Sequence, residues 1–119
     1  MAGKIQWINY SGKEILFNDR SNLNEDEIIE NSDEAVNTIK SCGKKDILYL
    51  VDNSNTIMVP RVKDHIKKGG KEISPYIKKL AVLGTNNAQK ILLNVLSTIT
   101  GMNIRVFDDM ESAKSWLIK

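Results

Sequence analysis

The sequence predicts an α/β domain: a mixed sheet of about five strands, the N-terminal strand antiparallel and the rest parallel, with four helices. Three observations predict it. Asp19-Arg20-Ser21-Asn22 and Asp52-Asn53-Ser54-Asn55 repeat one phrase, each after an apolar run and before a helical pattern. Gly84-Thr85-Asn86-Asn87 and Asp108-Asp109 follow the next two apolar runs. The runs Ile47 to Val51 and Leu80 to Leu83 are continuously apolar, as in strands covered on both faces. Successive βα units should therefore bring the polar ends of several parallel strands to one rim.

The elements follow in order. Residues 4–10 and 13–18 read as short strands joined by a Ser11-Gly12 hairpin turn. Asn24 and Glu27 have capping-box spacing at the start of the first helix, with Leu23 and Ile28 placed as a hydrophobic staple. Ile28, Ile29, Ser32, Ala35, Val36 and Ile39 form its inward stripe. The next strand is residues 47–51. Pro60 then opens a second helix, whose inward face is Val59, Val62, Ile66, Gly70 and Ile73. Gly70 on that stripe suggests a close approach to the sheet, or a break in the helix. A strand over 80–84 leads to a third helix capped by Thr85 or Asn86, the latter in capping-box spacing with Gln89, and with Ile91, Leu92, Val95, Leu96 and Ile99 inward. A short strand at 104–107 and a last helix capped by Asp108 with Glu111 complete the chain. Met110, Ala113, Trp116 and Leu117 form the last helix's inner face. No linker or low-complexity stretch interrupts residues 1–119, which read as one domain.

Composition narrows the function classes. A single cysteine, Cys42, excludes an internal disulfide and any cysteine-based zinc site. The residues from Met1 to Gln6 lack the apolar core of a signal peptide, and no apolar run approaches the roughly 20 residues that span a bilayer. A cytoplasmic location without a transmembrane segment is expected. The net charge of +2 gives no case for nucleic acid. Its distribution is uneven: six acids lie in residues 25–34 and seven bases in 61–79. These read as solvated helix faces, or as a basic face for RNA, acidic lipid or an acidic partner, although no aromatics interleave with the lysines. No nucleotide-binding, hydrolase or zinc-protease motif occurs. His65 has no second ligand to make a metal set, and no cofactor is implied.

The segments from Tyr49 to Thr56, Ser74 to Gly84, and Val106 to Asp109 with Ala113 to Leu117 resemble the SpoIIAA-like or STAS superfamily, including small bacterial STAS/SEC14-type proteins. The resemblance spans nearly the whole chain in element order. It implies a right-handed βα superhelix behind an N-terminal strand, and a bacterial, mostly non-enzymatic regulatory or protein-interaction module. Antagonist members carry a phosphorylatable serine at the start of the second helix. The matching stretch here, Val59-Pro60-Arg61-Val62, has no hydroxyl, so that switch is not carried over.

Two candidate surfaces follow. Ligands of open α/β sheets bind beyond the carboxyl ends of the strands. Asp19, Ser21, Asp52, Ser54, Asn55, Thr85, Asn86 and Asp108 are therefore the candidate rim for a small molecule, an anionic lipid or a nucleotide, with the basic second helix beside it. The alternative is that these side chains close turns and cap helices. The second surface is charge-poor: from Ala81 to Ile104, Lys90 is the only charged residue. Asn87, Lys90, Leu93, Asn94 and Ser97 form the candidate interface of the third helix, for a protein partner or a homodimer. A Mg²⁺-assisted phosphoryl-transfer site from Asp19, Asp52 and Asp108 is the disfavoured reading. A phosphoacceptor receiver would need an acidic pair where this chain has Asp19-Arg20. No residue is assigned a catalytic role.

Overall fold

The computed structural model describes residues 3–119; the reading that falls on Met1 and Ala2 lies outside them. Strands β1 (Lys4–Tyr10) and β2 (Lys13–Asp19) form an antiparallel hairpin. Its turn takes left-handed backbone at Ser11 (φ 51°) and Gly12 (φ 82°), the geometry that matches the twist of the strands. Helix α1 (Glu25–Ser41), β3 (Ile47–Asp52), α2 (Pro60–Ile73), β4 (Ile77–Leu83), α3 (Asn87–Thr100), β5 (Ile104–Phe107) and α4 (Met110–Leu117) follow. The sheet order is β1-β2-β3-β4-β5, with every pair after the hairpin parallel.

That order has a consequence. When strand order follows chain order, right-handed crossovers send each connecting helix to the same face. Ala35 and Ile39 of α1, Ile73 of α2, and Leu93 and Leu96 of α3 accordingly share one core with Leu16, Tyr49, Val51, Leu80 and Val82. The opposite face is left to α4, whose Ala113 and Leu117 pack on Ile15, Leu48, Leu50, Ala81 and Leu83. Phe107 and Trp116 close this smaller core, their ring centroids 5.5 Å apart.

Local chemistry explains the boundaries. Asn24 and Glu27 make a full capping box on α1, and Asn86 and Gln89 make another on α3. Helix α2 does not break at Gly69-Gly70. A Cβ on Gly70 would lie 2.7 and 2.9 Å from the δ-carbons of Leu96, so the glycine admits close packing of α2 on α3 rather than on the sheet. Strand β4 begins at Ile77, earlier than the apolar run suggests, because a single 3-10 turn over Ser74–Tyr76 delivers the chain straight to the sheet. The cap of α4 is Asp109, not Asp108: Asp109 Oδ1 accepts from the Ser112 N–H at 2.8 Å and Oδ2 from its hydroxyl at 2.9 Å. These bonds from Ser112 hold the Asp109 carboxyl below its ordinary pKa.

The uneven charges meet across one helix seam. Arg61 of α2 binds Glu25 Oε1 at 2.9 Å and Asp26 Oδ1 at 3.0 Å, and His65 Nε2 lies 2.6 Å from Asp33 Oδ1. Among the described residues no helix is long and apolar enough to cross a membrane.

Candidate functional site

The repeated phrase folds as a repeated turn. Asp19 Oδ1 accepts from the Ser21 N–H (3.1 Å) and hydroxyl (2.6 Å), and Asp52 Oδ1 accepts from Ser54 in the same way (2.9 and 2.6 Å). Asn22 and Asn55 both turn left-handed, at φ 60° and 57°, which asparagine tolerates. The two turns lie side by side. Asp19 opposes Asp52 in the register, Ser54 O accepts from the Asn22 N–H, and Asn55 Nδ2 donates to Asn22 Oδ1. Ser54 in turn packs against Gly84, where a Cβ would meet Ser54 Cα and N at 2.6 Å.

The rim is thus continuous across β2, β3 and β4, and its side chains close turns. Thr56 Oγ1 donates to the Asn53 carbonyl and accepts from Gln89 Nε2, which ties the turn to α3. Asn86 is spent on its capping box. The Thr85 hydroxyl is buried without a partner among the described residues. Asp108 follows β5, two strands beyond Asp52, and is exposed. Among the described residues, no group of three or more His, Cys, Asp or Glu side chains could hold a metal ion.

The third helix sits in a different rotation from the one expected. Leu93, expected outside, is 8% exposed and belongs to the three-helix core. Ile91, Val95 and Ile99, expected inside, are 65%, 40% and 51% exposed. The physical reason is the cap. With Asn86 as the cap residue, Gln89 is drawn into the rim and buried, which places Leu92, Leu93 and Leu96 inward. The helix-period pattern of this leucine- and isoleucine-rich stretch fits more than one rotation. Asn87, Lys90 and Asn94 are on the surface as expected, and the half-buried Ser97 donates to the Met102 carbonyl.

Two grooves flank the stripe. Lys90, Leu93, Asn94 and Ser97 border one of about 210 Å³ against Ile104 and Val106 of β5. Lys63, Asp64 and Lys67 of α2 border the other, about 200 Å³, against Ala88, Ile91, Leu92 and Val95. The second groove joins an apolar floor to a basic wall.

Sequence reasoning missed the interior of the site. Alternation along β2 sends Leu16 and Asn18 to the three-helix face, and Arg20 continues the series just past the strand. Tyr49, Val51 and Asn53 do the same on β3. Asn18 and Asn31, both fully buried, exchange two hydrogen bonds of 2.9 Å, and Asn18 Nδ2 also donates to the Tyr49 hydroxyl at 3.0 Å. Above them a cavity of about 50 Å³ lies under α1, α2 and α3. Arg20, Ser32, Tyr49 and Asn53 supply its polar lining, and Val51, Val82, Leu96 and Met102 much of the rest. The signal that could have found these residues is the period-2 step from Asn18 to Arg20 and from Val51 to Asn53.

Comparison with known proteins agrees with this architecture. A family model described as SpoIIAA-like matches residues 17–118. The chain is similar to the crystal structure of an uncharacterized protein of the DUF3478 family, with a SpoIIAA-like fold, from Shewanella loihica PV-4. The two share 16% identity over 98% of this chain and 94% of that one, with a TM-score of 0.74. At that identity the likeness shows the fold. No curated protein matches the sequence.

Proposed function

The chain belongs to the SpoIIAA-like family, and from that premise we propose that it is a cytoplasmic, non-enzymatic protein-interaction module that works without a phosphoserine switch. The single observation that carries this reading is the exposed stripe Ile91, Val95 and Ile99 on α3. Lone exposed apolar residues are ordinary; three on successive turns of one helix make a surface that water disfavours. Val59-Pro60-Arg61-Val62 offers no phosphoacceptor hydroxyl at the start of α2.

The groove beside the stripe indicates the chemistry of the partner. Lys63 and Lys67 stand along it, with Asp64 its one acid. Ile91 and Val95 suit the apolar face of a helix laid between α2 and α3, and the lysines suit acids on that helix's flank. A second copy of this chain fits less well, because a two-fold contact through this patch would bring two such walls, each with two lysines to one acid, into one interface. We therefore favour an acidic amphipathic helix of another protein over a homodimer.

The test is quantitative capture from cells of the source organism on immobilised wild-type, Val95→Glu and Lys44→Glu chains. The expected result is a protein with an acidic amphipathic segment that wild type and Lys44→Glu retain and Val95→Glu loses. Equal recovery by all three chains refutes the reading. A concentration-dependent dimer in native mass spectrometry, lost in Val95→Glu, would replace the foreign partner with a second copy. A second reading, small-ligand binding, draws support from the cavity around Arg20. At about 50 Å³ that cavity does not hold a nucleotide.

A further inference from the structure

We propose that the cavity beneath the three helices is a binding site for a small monocarboxylate, with Arg20 as its anchor. This inference does not depend on the α3 reading, since the cavity and the exposed stripe are different surfaces.

The starting observation is a charge without a counter-charge. Arg20 is only 6% exposed, yet among the described residues no carboxylate lies within salt-bridge distance of it and no side-chain hydrogen bond reaches its guanidinium. Its Nε in particular is buried and unpartnered. Buried arginines are ordinarily paired, because guanidinium loses its hydration on burial and must recover it from an anion or from carbonyls. The nearby acids are not available for this. Asp19 and Asp52 engage their Oδ1 atoms in their own serine turns, and neither lies within salt-bridge distance of Arg20. No acid among the described residues therefore pairs with Arg20, whose buried Nε is free to meet an external anion.

The surroundings define that anion. Among the described residues Arg20 is the only charged one lining the cavity, so a single negative charge balances it. The Ser32 hydroxyl has no partner among the described residues, and Tyr49 Oη, which accepts from Asn18, keeps its own proton to donate. The Asn53 amide has a buried, unpartnered Oδ1; turned about its last bond, it offers N–H groups instead. The remaining wall is apolar, with Val51 and Leu96 among it. A guanidinium fork matches a planar carboxylate in two parallel hydrogen bonds. An apolar wall matches a hydrocarbon stub. Phosphate would need more donors and a second cation, and chloride would leave the apolar wall unused.

Size narrows the class further. One water needs roughly 10–15 Å³ of such volume, so about 50 Å³ accommodates about four non-hydrogen atoms. Acetate and propionate are of that size.

The experiment is an NMR titration of the ¹⁵N-labelled full chain, following the Arg20 Nε–H resonance. Sodium formate, acetate, propionate and butyrate are added at constant ionic strength, with sodium chloride and sodium phosphate as parallel arms. The expected result is a saturable shift of that resonance with acetate or propionate, and weaker response to butyrate, chloride and phosphate. Arg20→Met should weaken the binding by about tenfold or more, read from backbone amides around the cavity. No saturation by any carboxylate overturns the proposal, as does preferential saturation by chloride or phosphate. Carboxylate binding that survives in Arg20→Met overturns it as well. Should Arg20→Met fail to fold, the wild-type Nε–H response alone decides.

Discussion

The fully buried Asn18–Asn31 pair lends itself to a double-mutant cycle. Asn31→Leu removes both Asn–Asn hydrogen bonds and leaves Asn18 Oδ1 buried with no donor, while Asn18 Nδ2 keeps the Tyr49 hydroxyl. Two hydrogen bonds at about 1 kcal/mol each, with part of the roughly 1–3 kcal/mol for an orphaned buried oxygen, give a loss of about 2–4 kcal/mol. Asn18→Leu removes all three bonds and should cost a similar amount. The double variant differs in kind. Replacing both partners by apolar groups of like shape leaves far less orphaned and can be nearly neutral. The two singles together lose about 4–8 kcal/mol and the double no more than about 1–2, so the cycle should show a coupling of at least about 3 kcal/mol. Urea unfolding reads this directly. With a slope of about 2 kcal/mol per molar, each single variant lowers the midpoint by about 1–2 M, and the double recovers at least half of that loss. A double variant that loses the sum of the two singles refutes the claim that the pair acts as one unit. The result also bears on the site, because Asn18 is the group that holds the Tyr49 hydroxyl in the cavity wall.

Four further outcomes follow. Gly84→Ala should destabilise more than Gly12→Ala in the same urea assay: both glycines have left-handed φ, costing about 1–2 kcal/mol for other residues, but only Gly84 faces backbone at 2.6 Å while Gly12 faces open space. Gly70→Ala should cost more than Gly69→Ala, since the new methyl meets Leu96 at 2.7 Å in one case and Ser32 and Val36 at 3.2 Å in the other; the reverse order refutes the packing account. Leu93→Glu should abolish cooperative thermal unfolding by burying a carboxylate in the core, whereas Val95→Glu should move the melting temperature by no more than about 2–4 °C. The Asp109 carboxyl should titrate below the usual aspartate range in a carbon-detected NMR titration. Because its folded-state pKa is lowered, its contribution to stability is present above the unfolded pKa and is lost as pH falls through the folded one; a midpoint at or above the ordinary value refutes the cap.

The sheet was legible because its signals are local and redundant. Continuous apolar runs, Asn24 with Glu27, Asn86 with Gln89, and the Ser11-Gly12 turn each fix one element, and each lies where it was expected. The rim was legible for the same reason: an Asp-x-Ser-Asn phrase builds the same turn twice. Strand order was not, since no residue states which strand lies beside which. The rotation of α3 was missed because Leu92, Leu93, Leu96 and Ile91, Val95, Ile99 are both plausible apolar faces. The capping pair, which was recognised, settles the choice only once Gln89 is seen to bond Thr56 across the rim. Asn31 was missed for a related reason: an asparagine on an inward stripe has a role only when its partner on β2 is known. The pairing of the acids of α1 with Arg61 and His65 likewise depends on the two helices being neighbours.

The two faces of the sheet show how far the cavity departs from what folding alone asks. Facing α4, β2 and β3 present Ile15 and Phe17, Leu48 and Leu50, an apolar surface under one short helix. Facing the three crossover helices, the same strands run from Leu16 to Asn18 to Arg20 and from Tyr49 to Val51 to Asn53, turning polar toward the rim. Asn18 is fully satisfied by Asn31 and Tyr49 and so costs the fold little. Arg20 is different: its backbone N–H belongs to the ladder through Asp52, but no contact within the described residues repays its buried charge. A methionine or leucine at this position would serve packing better, as replacements of buried charges by apolar residues generally do. Local rules are most often broken where a protein binds something. The break here is a single cation, bordered by three polar side chains and a hydrocarbon wall, at the end of the strands where this class of sheet binds its ligands.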